Sequence, residues 1–449
     1  MNLLESIDRF VWGLPLIFLL LGTGLYLTIK LKFLQFRILI PSLRLALIER
    51  KEREKADGDI SHFQALMTAL SATVGTGNIV GVATAISIGG PGAIFWIWMT
   101  GLVGMATKYA EAVLAVKYRT TNKYGQMCGG PMYYISKGMG IKTLGWLFAL
   151  FASIAAFGIG NMVQANSIAD AVNSTWKINR EFTGIILSFL TGLVIIGGIK
   201  SIARAASFLT PFMIIIYILA GLTVLISNIE GVLKAFFLIL KHAFTPTAVC
   251  GGFLGAGVMT TMRYGVARGL FSNESGLGSS PIAAAAAITK NPFRQAIVSM
   301  TQTFIDTIVV CSITGLLIIS TGVWCSGLTG VKLTTAGMNT FFKNLGDDIV
   351  SISLVLFAFS TILGWCYYGE KSIEFILGEN AIKPYRVLWT ITVFFGALSR
   401  LETIWTLADI MNGFMAFPNL IGLIFLRKEI VEETERGMKS VAKGFKNRN

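Results

Sequence analysis

Two glycine-rich stretches interrupt apolar runs, and they are where this sequence could do chemistry. The first reads Ser71-Ala-Thr-Val-Gly-Thr-Gly-Asn78 and the second Gly269-Leu-Phe-Ser-Asn-Glu-Ser-Gly-Leu-Gly-Ser-Ser-Pro281. In lipid every backbone N–H and C=O needs a partner, so a helix that loosens at mid-depth must turn the freed groups toward protein or ligand. The N-terminal end of a half-helix carries partial positive charge and can hold a carboxylate. Freed carbonyls and nearby hydroxyls can hold a small hard cation or an ammonium group. A zwitterion presents both charges, so a pair of such breaks binds it without any ionised side chain. For one motif alone, a glycine kink or a small-residue helix contact is as good a reading. Two motifs at corresponding positions of two halves point instead to a binding site.

Other polar groups sit inside apolar runs. Ser360 and Thr361, within Phe357-Ala-Phe-Ser-Thr-Ile-Leu-Gly-Trp365, place two hydroxyls near mid-depth. With carbonyl oxygens they suit Na⁺, although each hydroxyl could simply bond its own i−4 carbonyl. Trp365 lies four residues after Thr361, on the same helical side, where its ring would narrow a pocket or only pack. Phe157, Asn161 and Gln164 share one face and either meet a ligand or bridge helices. Lys108 and Glu111, three apart, are expected to pair near one membrane surface. Asp306 and Asp409 lie deeper and either relay a proton or pair with Arg263 or Arg268. Glu274 either pins the second break or caps the helix that starts near Pro281. No Ser/His or Cys/His pairing, no GxxxxGK[ST] run and no GxGxxG after a strand supports catalysis.

The elements that must position these groups are membrane helices. Hydrophobic residue types make up 54% of the 449 residues and charged ones only 14%, against about 25% in soluble domains. Mean hydropathy is +0.67 and the pI about 9.6. That excludes a soluble enzyme and a disordered chain, and the basic excess lies between apolar runs rather than in a nucleic-acid-binding patch. The fold class expected is an all-α polytopic membrane protein. At roughly 20 residues per span, eleven segments emerge near 11–29, 63–88, 93–116, 144–172, 182–199, 205–226, 249–288, 295–321, 349–368, 387–398 and 403–426. With the N-terminus outside, 27 of the 38 basic residues fall on the cytoplasmic side, as the positive-inside rule requires. The linker 30–59 reads as basic and amphipathic, able to lie on an anionic leaflet or to stay solvated. The tail 427–449 reads as a helix. Five cysteines without CxxC spacing imply no disulfide framework, and no zinc or haem motif is present. Setting the first helix aside, the breaks fall on helices one and six of ten, so two five-helix halves have opposite topology. The divisions expected are 1–60, 61–228, 229–428 and 429–449.

Gly89-Gly-Pro-Gly-Ala-Ile-Phe-Trp-Ile-Trp-Met-Thr-Gly-Leu-Val-Gly-Met-Ala-Thr-Lys-Tyr-Ala-Glu111, the run Arg268–Pro281, and the SATVGTGNIVG and GGPMYYI stretches resemble the alanine/glycine:cation symporter family, over almost the whole chain. The resemblance implies a sodium-coupled importer of small neutral amino acids, alanine and glycine, working by alternating access. It implies a leucine-transporter-like core of five plus five inverted-repeat helices, placed in the plasma (inner) membrane with the C-terminus cytoplasmic. No cofactor, nucleic acid or catalytic residue is implied; Na⁺ is the coupling ion and lipid the surroundings. By the same resemblance the Ser71, Val74 and Phe357 carbonyls, with the Ser360 and Thr361 hydroxyls, hold Na⁺. The substrate carboxylate would face Thr76 and Gly77 beside Asn78, and its amine the carbonyls near Phe271 and Ser272, beside Asn273. Gln164, Thr361 and Trp365 would close the pocket. Many relatives of that fold hold the carboxylate with a tyrosine on the third core helix; the segment 144–172 has none. Proton coupling through Asp306 or Asp409, and a sensor or channel of the same fold, are the alternatives.

Overall fold

The computed structural model describes residues 3–49, 56–399 and 402–446. Parts of the expected linker (50–55) and tail (447–449) and Arg400 lie outside them. A short amphipathic helix α1 (Leu3–Val11) turns into α2 (Leu14–Lys30), which carries Pro15 in its first turn. Pro15 costs nothing there, because the first-turn N–H has no partner in any helix. The first glycine-rich stretch then splits a span into α3 (His62–Thr73) and a second half, Gly77–Gly89, that ends in α4 (Val82–Gly89); the two halves are bent by 51°. Ser61 and Gln64 cap the start of α3 reciprocally, side chain to backbone in both directions.

Helix α5 (Ala93–Lys117) is followed by a small hairpin, Thr120–Thr121 paired with Met127–Cys128. The long α6 (Lys142–Trp176) ends where Lys177 turns left-handed. Asn179 caps α7 (Arg180–Ile195), and α8 (Gly198–Ser227) follows. The second break separates α9 (Val258–Asn273) from α10 (Pro281–Ala285). Beyond it come α11 (Pro292–Ser320), α12 (Gly330–Phe342), α13 (Leu345–Leu377), α14 (Ile382–Leu398), α15 (Glu402–Phe425) and the tail helix α16 (Arg427–Lys446). Among the described residues five helices are long and apolar enough to cross a membrane, or six with the bent α3–α4 pair.

Two expectations change. The seventh apolar run is not helical from its start: 249–257 is loop, with short bridges at Thr247–Ala256 and Cys250–Phe253. Its glycines at 251, 252, 255 and 257 make helix costly there. Cysteines 250 and 325, 75 residues apart, are joined by a disulfide, contrary to the absence of any disulfide framework expected from spacing. Spacing carries no signal for such a bond because only the fold brings the two loops together.

Helix α5 packs along α9 and α11, and α9 along α4; α13 lies against α3, α6 and α8, α15 against α6, and α7 against α14. Large apolar side chains stand exposed on the outer helices, Phe182, Phe189 and Leu193 on α7 and Phe208, Phe212 and Leu219 on α8. Such a face suits lipid rather than water. Side-chain and backbone bonds define two ends. At the tail end the α5 hairpin, the start of α3 and the ends of α10 and α13 meet. At the other end a disulfide joins the loop before α9 to the loop after α11, and Trp176 donates to Asp348.

Candidate functional site

The first break starts at Val74, whose backbone is extended (ψ 92°) and whose N–H still closes α3 onto Leu70. Gly75 N–H donates to Asn78 Oδ1 at 2.9 Å, so the asparagine satisfies a group the broken helix leaves open. A side chain at Gly75 would meet Thr361 Oγ1 at 2.5 Å. Glycine is therefore what lets the break touch α13. There Ser360 Oγ lies 3.1 Å from the Ser71 carbonyl and 2.9 Å from the Phe357 carbonyl, and Thr361 Oγ1 lies 3.0 Å from the same Phe357 oxygen. Three oxygens of the expected sodium set thus gather around one point between α3 and α13, with Thr361 beside it, all fully buried.

On α6, Gln164 donates to Thr76 Oγ1 at 3.2 Å and to Ile159 O at 3.0 Å. Its carbonyl oxygen is buried and has no protein donor among the described residues. Asn161 and Phe157 do not share that role: Asn161 donates to Trp389 O, and Phe157 packs on Tyr385 and Trp389. Trp365 closes on Gly160, where a Cβ would stand 2.2 Å from its own.

The two breaks touch. A Cβ on Gly77 would lie 3.1 Å from Ser272 Cα and 3.3 Å from the Phe271 ring. Asp306 on α11 joins them: it accepts from Asn78 Nδ2 at 2.8 Å, Ser272 Oγ at 2.8 Å and Thr307 Oγ1 at 2.9 Å. Asn273 turns the other way, donating to Thr100 and Thr307 while its Oδ1 receives the Ser275 N–H. Above Phe271, which stacks on Trp405, lies a cavity of about 100 Å³ lined by Asp8, Trp12, Arg263, Arg268 and Asp409. Asp409, not Asp306, shares surroundings with the two arginines.

The second break is held from outside itself. Gly276 N–H donates to Glu111 at 3.1 Å, and Asn419 donates to both Glu111 (2.7 Å) and Gly276 O (2.8 Å), its own oxygen receiving Tyr134. Lys108 reaches Ser280 Oγ at 2.5 Å. The expected Lys108–Glu111 pair is not among the ion pairs of the described residues, because Lys108 reaches the Ser280 hydroxyl and Glu111 the Gly276 N–H instead. Glu274 accepts from Ser279 Oγ at 2.5 Å and so pins the break from within. Asn419 and Tyr134 were not legible as site-supporting residues; Asp306 was, as an ionisable group in an apolar run.

Three π-helical turns, Gly77–Gly81, Ala156–Met162 and Phe304–Cys311, carry Gly77, Asn78, Asn161 and Asp306. Such turns loosen the backbone ladder and recur at functional sites.

Solved structures share this architecture. One is MhsT in complex with L-phenylalanine (TM-score 0.61, 13% identity, covering 84% of this chain and 93% of that one); another is a mutant of the Eremococcus coleocola manganese transporter (TM-score 0.52, 13% identity, 84% and 80%). Fold and breaks together define a bundle of helices, several long and apolar enough to cross a membrane and two of them broken. Residues 1–449 match the sodium:alanine symporter family, and the chain belongs to it. It is 52% identical over 442 residues to the sodium/alanine symporter AgcS of Methanococcus maripaludis, covering 97% of this chain and 96% of that protein. It is 37% identical over 422 residues to the probable sodium/glutamine symporter GlnT of Bacillus subtilis, covering 94% and 87%. The family makes Na⁺ the coupling ion and amino acids the cargo of a multi-pass membrane protein.

Proposed function

We propose that this protein imports alanine and glycine with Na⁺ by alternating access between two five-helix inverted repeats, 61–228 and 229–428, preceded by one helix. The tail end is cytoplasmic in this reading, so the chain crosses eleven times. The observation that carries it is the meeting of α3 and α13 at the Ser71 carbonyl, the Phe357 carbonyl and Ser360, beside Thr361. A hard cation prefers oxygen ligands, and Ser71, Val74, Phe357, Ser360 and Thr361 are proposed to supply them to Na⁺. Binding there replaces hydroxyl-to-carbonyl bonds within the protein by ion contacts. It thereby fixes the broken segment 74–78 against α13.

Substrate binds at the same segment. The Thr76 and Gly77 amides face the carboxylate, carbonyls at Phe271 and Ser272 face the amine, and the unpartnered Gln164 oxygen accepts a further donor. Trp365 against Gly160 limits the side chain to a small one, which separates alanine from glutamine, the substrate in the name of GlnT. Because ion and substrate order one segment, each raises affinity for the other. Uptake of labelled alanine into proteoliposomes tests this. Uptake that needs an inward Na⁺ gradient is expected; equal uptake with and without it rejects the reading. Uptake driven by a pH gradient without Na⁺ would transfer the coupling to a proton, with Asp306 as its carrier.

A further inference from the structure

The tail end contains a backbone clamp outside the candidate site. Residues 57–60, just before α3, run beside 286–289, just after α10, with Ile60 and Ala287 paired in parallel. Asp59 N–H donates to Ala286 O at 2.8 Å, Ile288 N–H to Ile60 O at 2.8 Å and Thr289 N–H to Asp57 O at 3.3 Å. The approach is so close that a Cβ on Gly58 would stand 2.3 Å from Ile288 Cα. Arg119, two residues past α5, then reaches both strands. Its guanidinium donates to Ala285 O (3.0 Å), Ala287 O (2.7 Å), Asp57 O (2.9 Å) and Thr289 O (2.5 Å). The rigid planar fork of arginine can serve four carbonyls at once, which a lysine ammonium cannot. The start of α3 is tied to α11 as well, through His62 and Gln295.

The contacts from this cluster to the end of α13 and the turn after it are of another kind. They run through side chains at one partner at least: Asn122 to Glu374 (2.8 Å), Lys123 N–H to Glu379 (3.1 Å) and Cys128 to Glu374 (3.3 Å). Side-chain contacts can be exchanged during a sliding motion, whereas a backbone bridge must be broken whole.

We infer that Arg119 and the 57–60/286–289 bridge are positioning elements that make α3 and α10, the tail-end halves of the two broken helices, one moving unit. In this protein α3 does not swing away alone when the tail end opens. It travels with α5, α10 and α11, and the surface that parts is the one against α13. This rests on the transport reading above, but its test does not depend on which ion or amino acid is carried.

Cysteines replacing Asp57 and Thr289, in a Cys128→Ser background, are cross-linked by oxidation in proteoliposomes. Uptake undiminished by the cross-link is expected; loss of uptake that reduction restores overturns the inference. Should the cysteine pair lower uptake even when reduced, spin labels at the exposed positions 57 and 290 decide. A single narrow distance in Na⁺, with and without substrate, is expected, and a second, longer population overturns the inference. Arg119→Lys should create that longer population, growing roughly tenfold for each charged hydrogen bond lost, while the cross-linked pair restores a single distance.

Discussion

At the scale of single residues, the proposed ion site is built of hydroxyl and carbonyl oxygens rather than ionised side chains. Ser360 and Thr361 could be read from the sequence because two adjacent hydroxyls stand out in an apolar run. What they touch could not be read, since Ser71 lies 289 residues from Ser360. Removing one proposed ligand tests the assignment. Thr361→Ala should raise the Na⁺ concentration for half-maximal alanine uptake roughly tenfold, the worth of one charge-assisted contact, with fold and expression unchanged. An unaltered Na⁺ dependence would remove Thr361 from the ion site. Trp365→Ala opens the space beside Gly160, and leucine should then compete with alanine roughly tenfold better, since each methylene admitted is worth about 1–3 kcal/mol. Competition by leucine no better than in the parent protein would make Trp365 a packing residue. Asn273 shows how far sequence proximity misleads. It sits beside Ser272 in the motif, yet its side chain braces α9 against α5 and α11.

At the scale of elements, both breaks were legible because two glycine clusters fall inside spans at corresponding positions of the two halves. Their bracing was not, because it comes from α5, α11 and α15, each distant in sequence. Gly278 illustrates the local cost. Its φ is +85°, and a Cβ would stand 2.6 Å from Pro131 Cγ. The left-handed backbone alone costs a non-glycine residue about 1–2 kcal/mol, and the clash adds to it. Gly140 has φ +75° with nothing within 4 Å of a Cβ, so Gly140→Ala isolates the backbone cost. Gly278→Ala should lower the melting temperature in detergent more than Gly140→Ala does; equal losses would show that the second break yields to fit a methyl. The tail helix makes a separate prediction. Lys117 Nζ lies 2.8 Å from Glu429 and 3.3 Å from Glu433, and Tyr118 OH donates to Glu429 at 2.5 Å. Burial would raise the Glu429 carboxyl, but the Lys117 and Tyr118 hydrogen bonds outweigh it and hold it below its ordinary 4.5. Charged Glu429 therefore stabilises docking above that value, and the contribution is lost as pH falls through the lower, docked-state value. Hydrogen exchange in 427–446 should accelerate over that acidic range and not between neutral pH and the ordinary value. Protection independent of pH there would place the tail's hold in the Tyr109–Thr434 hydroxyl bond (2.7 Å) and the packing of Gly437 on Phe293 instead.

At the scale of the whole molecule, charge and disulfide give independent readings of orientation. The basic residues gather at the tail end, which the positive-inside rule assigns to the cytoplasm. The Cys250–Cys325 bond lies at the other end, and disulfides persist on the oxidising side of a membrane. The other three cysteines are buried. A membrane-impermeant maleimide applied to intact cells after mild reduction should therefore label Cys250 and Cys325. Labelling only after permeabilisation would invert the proposed topology.

The sequence by itself determined the solvent, the class and the weak points of the helices. Apolar runs can satisfy their backbone in lipid only as helices, and glycine clusters mark where that satisfaction is surrendered. Only the tertiary structure decided what takes up the surrendered groups: Asp306 between the two breaks, Glu111 and Asn419 around Gly276, and Arg119 on four carbonyls. These partners come from helices far along the chain, and hydrogen bonding, unlike hydrophobic periodicity, leaves no spacing in the sequence from which its partner can be read.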